Sequence, residues 1–191
     1  MNNHISQYGK LLRVDGAWVP EPHPNWVFQE KLDGNQISFG LPLDAPDGPA
    51  IIRSKSTDAR TNGAFAQACA SIDQMKLTPG YVYRGEFISK PKMNKLAYNR
   101  APKGFIVLFD VQCQAGYFVP DAIKTIAAEL GCEAAPVMGT TPHPDWLKAE
   151  SLLGGSIEGW VGKNYALRDK WGHAVRVKRV RDDLDVTPET A

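Results

Sequence analysis

The sequence predicts an α+β fold in which antiparallel sheets are flanked by helices. Glycine and proline, 17 and 14 residues of 191, divide the chain into many short segments, which is typical of a strand-rich protein. The three segments with helical periodicity do not alternate with strands in βαβ order, so a parallel doubly wound sheet is not expected. We find no internal repeat and no low-complexity block.

Turn residues and strand-like patterns predict the elements of the first half of the chain. An Asp-Gly dipeptide predicts a hairpin over residues 14–19, and a second one, Asp33-Gly34, separates two strands within residues 26–39. Residues 51–54 and 81–88 are the next predicted strands.

Three segments have the signals of a helix. Asn62 and Gly63 stand at the start of the first, Gly131 follows the second, and a pair of glycines closes the third. The predicted helices span residues 64–75, 121–130 and 144–153.

The remaining predicted strands lie in the second half of the chain, over residues 105–111, 157–163 and 174–180. The first of them, FIVLFDV, is a continuous apolar run that fits a strand covered on both faces. Asp110 is the exception in this run, because a carboxylate inside an apolar strand is costly without a partner.

Length and composition fit one globular domain. Hydrophobic residues make up 43%, charged residues 23%, and the formal net charge is +1, so the chain can bury a full core. We expect a domain over residues 1–181 and a flexible tail over 182–191, where the chain becomes acidic and polar.

The three cysteines and the hydropathy pattern predict a soluble, intracellular protein of the cytoplasm with no membrane contact. Cys69, Cys113 and Cys132 are far apart and lack metal-ligand spacing, so we expect reduced thiols. No signal peptide and no apolar stretch of membrane-spanning length is present.

The first segment with chemical potential is Glu30-Lys31-Leu32-Asp33-Gly34-Asn35. One interpretation is a β-hairpin with an Asp-Gly turn and a solvated lysine. The other is a nucleophilic lysine at a strand end, beside a glycine that lets a phosphate approach the backbone. A lysine attacks phosphorus only when its amine is neutral.

Two further segments offer carboxylates and an aromatic ring. Arg84 and Glu86 point to one face of their predicted strand. They form either an exposed ion-pairing face or a site for a ribose hydroxyl, a metal ion and a phosphate. Phe109 offers a ring face to a purine, although a core position is the ordinary explanation for an apolar strand residue.

The last two segments combine glycines with cations. In EGWVGK the glycines suggest room for a ligand or a bulge, and a bulge near Gly159 would be needed to bring Glu158 and Lys163 to one site. Arg176 and Lys178 share one strand face, either as a solvated basic edge or as a clamp on a triphosphate.

Taken in order, these segments resemble the motif series of the covalent nucleotidyltransferases, which include ATP-dependent DNA ligases, RNA ligases and mRNA capping enzymes. The matching segments are EKLDGN, RGEF, FIVLFDV, EGWVGK and RVK, with Ile52-Arg53-Ser54-Lys55 as a sixth, and they span residues 26–180. The resemblance implies a ligase-type adenylation domain in which a nucleotide cleft lies between the antiparallel sheets.

The resemblance also implies a role for each matching residue. Lys31 would be the nucleophile that forms lysyl-AMP, with Lys163 and Lys178 as catalytic cations at the α-phosphate. The implied nucleotide-binding residues are Glu30 at the adenine amino group, Arg53 at a phosphate or the ribose, Glu86 at the ribose, Phe109 and Val161 on the two faces of adenine, and both catalytic cations. Glu86 and Glu158 would hold the metal.

The implied activity is that of an ATP-dependent polynucleotide ligase that uses Mg²⁺ or Mn²⁺ and joins a 3′-hydroxyl to a 5′-phosphate. Glutamate before the lysine, as in Glu30-Lys31, and the lack of an OB-fold domain after Arg181 favour an RNA ligase of the phage or RNA-editing type, with a phage gene as a candidate source. A separate domain or partner could then supply a C-terminal domain. A minimal DNA ligase, a catalytically silent nucleic-acid-binding domain and a GTP-using capping enzyme are the alternatives. Arg176 departs from the family pattern, which has lysine there.

A basic segment follows the RGEF motif and is the predicted nucleic-acid-binding surface. It contains five cations and no acid, and Tyr98 among them is a possible stacking ring. The cations are Lys90, Lys92, Lys95, Arg100 and Lys103. A second basic cluster spans residues 168–181.

Overall fold

The computed structural model describes residues 5, 8, 11–14, 25–168 and 174–184, the side chain of Arg168 excepted. Its strands are β1 (Leu12–Arg13), β2 (Trp26–Lys31), β3 (Asn35–Gly40), β4 (Ile51–Ser54), β5 (Val82–Phe87), β6 (Ile106–Cys113), β7 (Gly116–Tyr117), β8 (Glu133–Ala134), β9 (Val137–Gly139), β10 (Gly159–Arg168) and β11 (Ala174–Val180). The α-helices are α1 (Ala66–Ile72) and α2 (Pro120–Glu129). The predicted α+β class is confirmed.

The strands form two sheets. The first has the order β1-β11-β10-β2-β9, and the second has the order β4-β3-β5-β6-β7 with β8 beside β6. All pairings are antiparallel except β1 with β11 and β6 with β8. The two sheets therefore follow the antiparallel arrangement that the sequence predicts.

The Asp33-Gly34 dipeptide carries the chain from one sheet to the other. β2 pairs with β10 and β9, whereas β3 pairs with β4 and β5. The hairpin interpretation of this dipeptide is therefore wrong, although the two strands on either side of it are confirmed. Gly34 is required by packing, because a Cβ atom there would lie 2.6 Å from the carbonyl oxygen of Phe87.

Two of the three predicted helices are confirmed, and the first of these is shorter than expected. Asn62 accepts a hydrogen bond from the Ala64 backbone N–H and begins a 3-10 helix over Gly63–Phe65, which leads into α1. α2 agrees with its prediction, and Gly131 follows it with φ +73°.

The prediction of a third helix over residues 144–153 is wrong. A 3-10 helix over Pro144–Lys148 ends at Ala149, whose ψ of 157° is extended. Beyond it, Ser151 and the backbone N–H of Leu152 bind the Glu30 carboxylate. A buried acceptor from a distant strand thus replaces the helical hydrogen bonds that the sequence pattern suggests.

The main core lies between the second sheet and the two α-helices. Ile72 of α1 and Ile123 of α2 pack there against Phe39, Ile106 and Leu108 of the strands. A smaller cluster on the other face of the same sheet includes Leu32, Ile88, Tyr98, Val107 and Leu153. The first sheet has its own cluster, made by Trp26, Phe28, Trp160 and Val177.

The ends of the chain and the cysteines complete the comparison with the predictions. The predicted hairpin over 14–19 lies outside the described residues except for Val14. The first residues of the predicted tail form a 3-10 helix, Asp182–Leu184, and residues 185–191 lie outside the described part of the chain. All three cysteines are unpaired, and Cys69 and Cys132 are buried while Cys113 is half-buried.

Within the described part of the chain, every helix is too short or too polar to span a bilayer.

Gly159 and Gly162 are required by the protein's own packing rather than by a ligand. A Cβ atom on Gly159 would lie 2.0 Å from the carbonyl oxygen of Arg179, and one on Gly162 would lie 2.4 Å from the Phe28 ring. The expectation that these glycines make room for a ligand is therefore wrong.

Gly159→Ala should lower the free energy of unfolding by about 1–3 kcal/mol, because the obstructing atom belongs to the backbone of the paired strand. Gly63→Ala is the matched control, since a Cβ atom there meets nothing within 4 Å. Urea unfolding of both variants measures the difference, and equal effects would contradict this account of Gly159.

Candidate active site

A cleft of about 930 Å³ lies between the two sheets, within the volume range of roughly 300–1,000 Å³ that is usual for ligand pockets. Side chains from both sheets form its walls. The predicted site residues along these walls are Glu30, Lys31, Glu86, Phe109, Val161, Lys163 and Lys178. Arg53 is not among the lining residues, although the segment that follows it, residues 54–57, is.

Lys31 lies at the end of β2 and forms an ion pair with Glu158. The Nζ atom donates to Oε2 of Glu158 at 2.6 Å, and 20% and 13% of the two side chains are exposed. Glu158 immediately precedes β10, whose first residue, Gly159, pairs with Lys31 across the sheet. β10 pairs in continuous register with both neighbouring strands from Gly159 to Asn164, and its register shift lies between Asn164 and Arg168, so the predicted bulge near Gly159 is wrong.

Glu86 reaches the same region from β5 in the other sheet. Its carboxylate accepts a hydrogen bond from the Gly34 backbone N–H at 3.2 Å. Burial raises the pKa of Glu86 to about 8, the charge of Lys31 lowers it, and the charge of Glu158 raises it again. Two carboxylates from different sheets thus converge on the Lys31 side of the cleft.

Burial also raises the pKa of Glu158, and the charge of Lys31 opposes this effect. No group of three or more His, Cys, Asp or Glu side chains converges as a metal cage within the described ranges. Mg²⁺ commonly uses one or two carboxylates and takes its other ligands from water and substrate phosphates. The pair Glu86 and Glu158 fits that mode of binding.

Glu30 lies in the cleft wall, 5% exposed. Ser151 Oγ donates to one carboxylate oxygen, and the Leu152 backbone N–H donates to the other at 2.9 Å. Burial raises the pKa of Glu30, and these two hydrogen bonds oppose the effect. Ser151 was not expected from the sequence, because it falls in the wrongly predicted third helix.

A β-bulge at Phe109 directs two successive side chains toward the space between the sheets. In the pairing of β5 with β6, Gly85 is opposite Leu108 and Arg84 is opposite Asp110, so Phe109 is the extra residue. Leu108 and Val111 pack in the main core, whereas Phe109 lines the cleft. Strict alternation could not have predicted this arrangement.

Lys163 is bound by three acceptors and is 2% exposed. Its Nζ donates to Gln29 Oε1 at 2.5 Å, to the Phe109 carbonyl oxygen at 2.7 Å and to Asp110 Oδ1 at 3.1 Å. Burial lowers the pKa of Lys163, and Asp110 opposes this effect. Gln29 was not predicted, and a neutral residue inside a strand carries no signal that would have indicated it.

Lys178 and Arg176 share a face of β11 but have different surroundings. Lys178 lines the cleft opposite Val161, and burial followed by the charge of Lys31 lowers its pKa. Arg176 is 5% exposed, donates to the Tyr117 hydroxyl at 2.7 Å and lies 4.0 Å from the centroid of the Tyr8 ring. The prediction that both cations clamp a triphosphate therefore fails for Arg176.

The predicted nucleic-acid-binding segment is exposed at all five of its cations. Arg100 nevertheless forms a bidentate ion pair with Glu133, at 2.6 and 2.9 Å, and Lys95 donates to the Leu184 carbonyl oxygen. The idea that Tyr98 is a stacking ring is wrong, because this side chain is 5% exposed and its hydroxyl accepts from the Asp33 N–H.

The same segment is tied directly to the loop that follows Lys31. The Leu96 N–H donates to Asp33 Oδ2 at 2.7 Å, and the Asn94 side chain donates to the Gly34 carbonyl at 2.9 Å. A molecule that binds to this part of the basic segment would therefore lie close to Lys31.

The second basic cluster is not a free cationic surface. Arg179 pairs with Asp182 at 2.9 Å, Arg181 pairs with Asp183 at 2.5 Å, and Arg176 is buried. Residues 169–173 of this cluster lie outside the described part of the chain.

Comparisons with known proteins support the fold. No protein-family model and no curated protein matches the sequence. The structure is similar to Naegleria gruberi RNA ligase with PPi, with a TM-score of 0.51 and 16% identity. A mutant of that ligase with ATP and Mn gives 0.52 and 15%, and an apo mutant gives 0.51 and 16%.

Each of these similarities covers 83% of this chain and 50% of the solved chain. The protein thus has an α+β fold like that of Naegleria gruberi RNA ligase, and its chain spans about half the length of the solved structures.

The raised pKa of Glu86 predicts a pH-dependent stability. Because the folded-state pKa is about 8 and the ordinary value is 4.5, the folded protein binds this proton more tightly than the unfolded chain does. The stability contribution is complete below the ordinary value and is lost as the pH rises toward 8. Glu86→Gln should therefore gain stability over the wild type across this window.

Chemical unfolding at a series of pH values measures this difference. Glu150→Gln is the matched control, because Glu150 is exposed. A constant difference between Glu86→Gln and the wild type would show that Glu86 ionises normally in the folded protein.

Proposed function

We propose that this chain is the nucleotidyltransferase core of an ATP-dependent RNA ligase, which forms lysyl-AMP on Lys31 and then seals a 3′-hydroxyl to a 5′-phosphate. The observation that carries the proposal is that the two sheets bring Lys31, its partner Glu158, and Glu86 together with two further cleft lysines. The similarity of the fold to RNA ligases supports it independently.

In the first step, Lys31 Nζ attacks the α-phosphorus of ATP. A nitrogen–phosphorus bond forms, the bond from the α-phosphorus to the bridging oxygen breaks, and pyrophosphate leaves. Glu158 lies 2.6 Å from Nζ, and burial raises its pKa, so it is placed to take the amine proton. Phosphoryl transfer depends mainly on positioning and on charge neutralisation.

Lys163 and Lys178 supply the positive charge on the opposite strands. They line the cleft on the paired strands β10 and β11, where Lys178 is opposite Val161 and Lys163 is opposite Arg176. As cations preorganised in a partly buried site, they would bind the α-phosphate and stabilise the charge that develops as pyrophosphate leaves.

The nucleoside would lie against the remaining wall residues. We assign Phe109 and Val161 to the two faces of the adenine, Glu30 to its amino group and Glu86 to the ribose hydroxyls. Arg53, which is not a lining residue of the cleft, would contact a phosphate or the ribose. The Ser151 and Leu152 hydrogen bonds hold the Glu30 carboxylate in a defined position in this arrangement.

Glu86 and Glu158 would hold Mg²⁺ or Mn²⁺, whose charge would offset the negative charge of the triphosphate. A similar structure was solved with ATP and Mn. The carboxylates and Lys31 lie close enough for their charges to influence one another, which is the charge distribution expected where a cation, a phosphate and an amine meet.

RNA ends or nicks would approach along the basic segment, where Lys90, Lys92 and Lys103 are exposed and where Asn94 and Leu96 bind the Asp33-Gly34 loop. Lys95 and Arg100 would contribute once they exchange their protein partners. We expect the protein to act in the cytoplasm, and a separate domain or partner to complete the RNA-binding surface.

Incubation of the purified chain with ATP and Mg²⁺ should add a single AMP to its intact mass. Lys31→Ala should abolish the adduct, because it removes the nucleophile. Lys76→Ala, at an exposed lysine outside the cleft, should retain the adduct. Labelling with GTP instead of ATP would contradict the ligase proposal and favour a capping enzyme.

Protein that is already adenylated when purified would give no new adduct, so each sample is also treated with pyrophosphate. Discharge of AMP by pyrophosphate supports the proposal as strongly as new labelling does. If neither labelling nor discharge occurs, nucleotidyl transfer by this chain is excluded and a silent nucleic-acid-binding domain is favoured. Sealing of nicked RNA, DNA and hybrid duplexes then identifies the polymer.

The Lys90→Ala, Lys92→Ala double variant should bind nicked RNA duplex more weakly at every sequence. The slope of log affinity against log salt should fall by about 1 per lysine, because each lysine neutralises one phosphate. Lys124→Ala, at an exposed residue of α2, is the matched control. Fluorescence anisotropy across a salt series checks this, and an unchanged slope would show that the segment does not contact RNA.

A further inference from the structure

Asp110 is the centre of a buried polar network behind the cleft. Its side chain is fully buried, and it accepts hydrogen bonds from the hydroxyls of Tyr8 and Tyr165 as well as from Lys163 Nζ. Tyr8 comes from the N-terminal segment and Tyr165 from β10. A buried carboxylate requires such partners, since removing it from water is otherwise very costly.

Lys163 uses all three of its ammonium protons on protein acceptors. These acceptors are Gln29 Oε1, the Phe109 carbonyl oxygen and Asp110 Oδ1, at 2.5, 2.7 and 3.1 Å. An ammonium group has no further donor. Binding of a phosphate oxygen by Lys163 therefore requires that one of these contacts be exchanged, and the contact to Asp110 is the longest.

The carboxylate of Asp110 also lies among cations that would otherwise repel one another. Lys163 and Arg176 are directly opposite in the pairing of β10 with β11, a position in which like charges are destabilising. The groups whose charge acts on Lys163 are Asp110 of β6, which favours its protonated form, and Arg176 of β11, which opposes it. Asp110 thus supplies the counter-charge for this pair.

The two phenols are hydrogen-bond donors to Asp110 in addition to Lys163. Burial, followed by the negative charge of Asp110, raises the pKa of Tyr8 and of Tyr165 well above the ordinary value. Both hydroxyls therefore keep their protons and remain donors. The Tyr8 ring is held in place by the Arg176 guanidinium at 4.0 Å and by the Phe109 ring at 5.3 Å.

We propose that Asp110 is a positioning residue for Lys163: its carboxylate holds the ammonium at the cleft wall and keeps it charged, and the Tyr8 and Tyr165 hydroxyls hold the carboxylate while the ammonium binds a phosphate. The catalytic part of this inference rests on the proposed function. The inference that Asp110 keeps Lys163 protonated does not rest on the proposed function, and it is tested separately.

The first test follows the ionisation of Lys163 by NMR of protein labelled with ¹³C at the lysine Cε. The Lys163 signal is identified by its loss in Lys163→Arg. In Asp110→Asn, Lys163 should lose its proton at a pH lower by about one unit or more, because the buried counter-charge is gone. Asp47→Asn, the same change at an exposed aspartate, should leave the titration unchanged. An unchanged titration in Asp110→Asn would overturn the proposal.

The double variant Tyr8→Phe, Tyr165→Phe gives a second test, in which the titration of Lys163 should shift in the opposite direction. It also tests the proposal if Asp110→Asn does not fold. It keeps both rings and removes both hydroxyl donors, so that the charge of Asp110 acts more strongly on Lys163. The pH at which Lys163 loses its proton should therefore rise. Tyr81→Phe is the matched control, and equal titrations of the double variant and this control would overturn the role of the phenols.

The third test measures the rate of lysyl-AMP formation against ATP concentration. Asp110→Asn should lower the maximal rate by about tenfold or more while the half-saturating ATP concentration changes by less than about threefold. A wild-type rate in folded Asp110→Asn would overturn the positioning role. If the wild-type protein forms no adduct and releases no AMP, the proposed function fails, and the NMR titrations still decide whether Asp110 controls Lys163.

Discussion

The site depends on the point at which the chain crosses from one sheet to the other. Lys31 is the last residue of β2, and β3 begins the second sheet only four residues later. The crossing is held by the close contact of Gly34 with Phe87, by the Leu96 N–H, which donates to the Asp33 carboxylate, and by the Asp33 N–H, which donates to the Tyr98 hydroxyl. Because the crossing is so short, the lysine lies at the seam between the sheets, where side chains from both can reach it.

The cleft concentrates ionisable groups that are costly to bury, and each group has a partner suited to its charge. Lys31 pairs with Glu158, Lys163 pairs with Asp110, and Ser151 and Leu152 bind Glu30. Burial raises the pKa of Glu30, Glu86 and Glu158 and lowers that of Lys163 and Lys178. A site that accepts a highly charged ligand and transfers protons needs ionisable groups that can change their protonation state.

The sequence motifs resemble those of the covalent nucleotidyltransferases, and the fold is similar to that of an RNA ligase. The six sequence motifs rely on residue types in a given order, whereas the similarity to Naegleria gruberi RNA ligase rests on backbone geometry at 16% identity or less. The geometry shows the fold alone, and the motifs identify which side chains of that fold would do chemistry. Their combination makes lysyl-AMP formation the step at which the function of this chain is best tested.

The sequence by itself determined strands β2 to β6, β10 and β11, helix α2 and the order of the motif residues, because periodicity and turn chemistry act over a few neighbouring positions. Only the tertiary structure decided the sheet to which each strand belongs, so the Asp33-Gly34 hairpin was predicted wrongly. The helix over residues 144–153 was also predicted wrongly, because the chain leaves the helical conformation at Ala149. The tertiary structure also decided the bulge at Phe109, the burial of Tyr98 and the binding of Asp110 by Tyr8. The physical reason is that these features depend on contacts between residues that are dozens of positions apart, and local patterns carry no information about such partners.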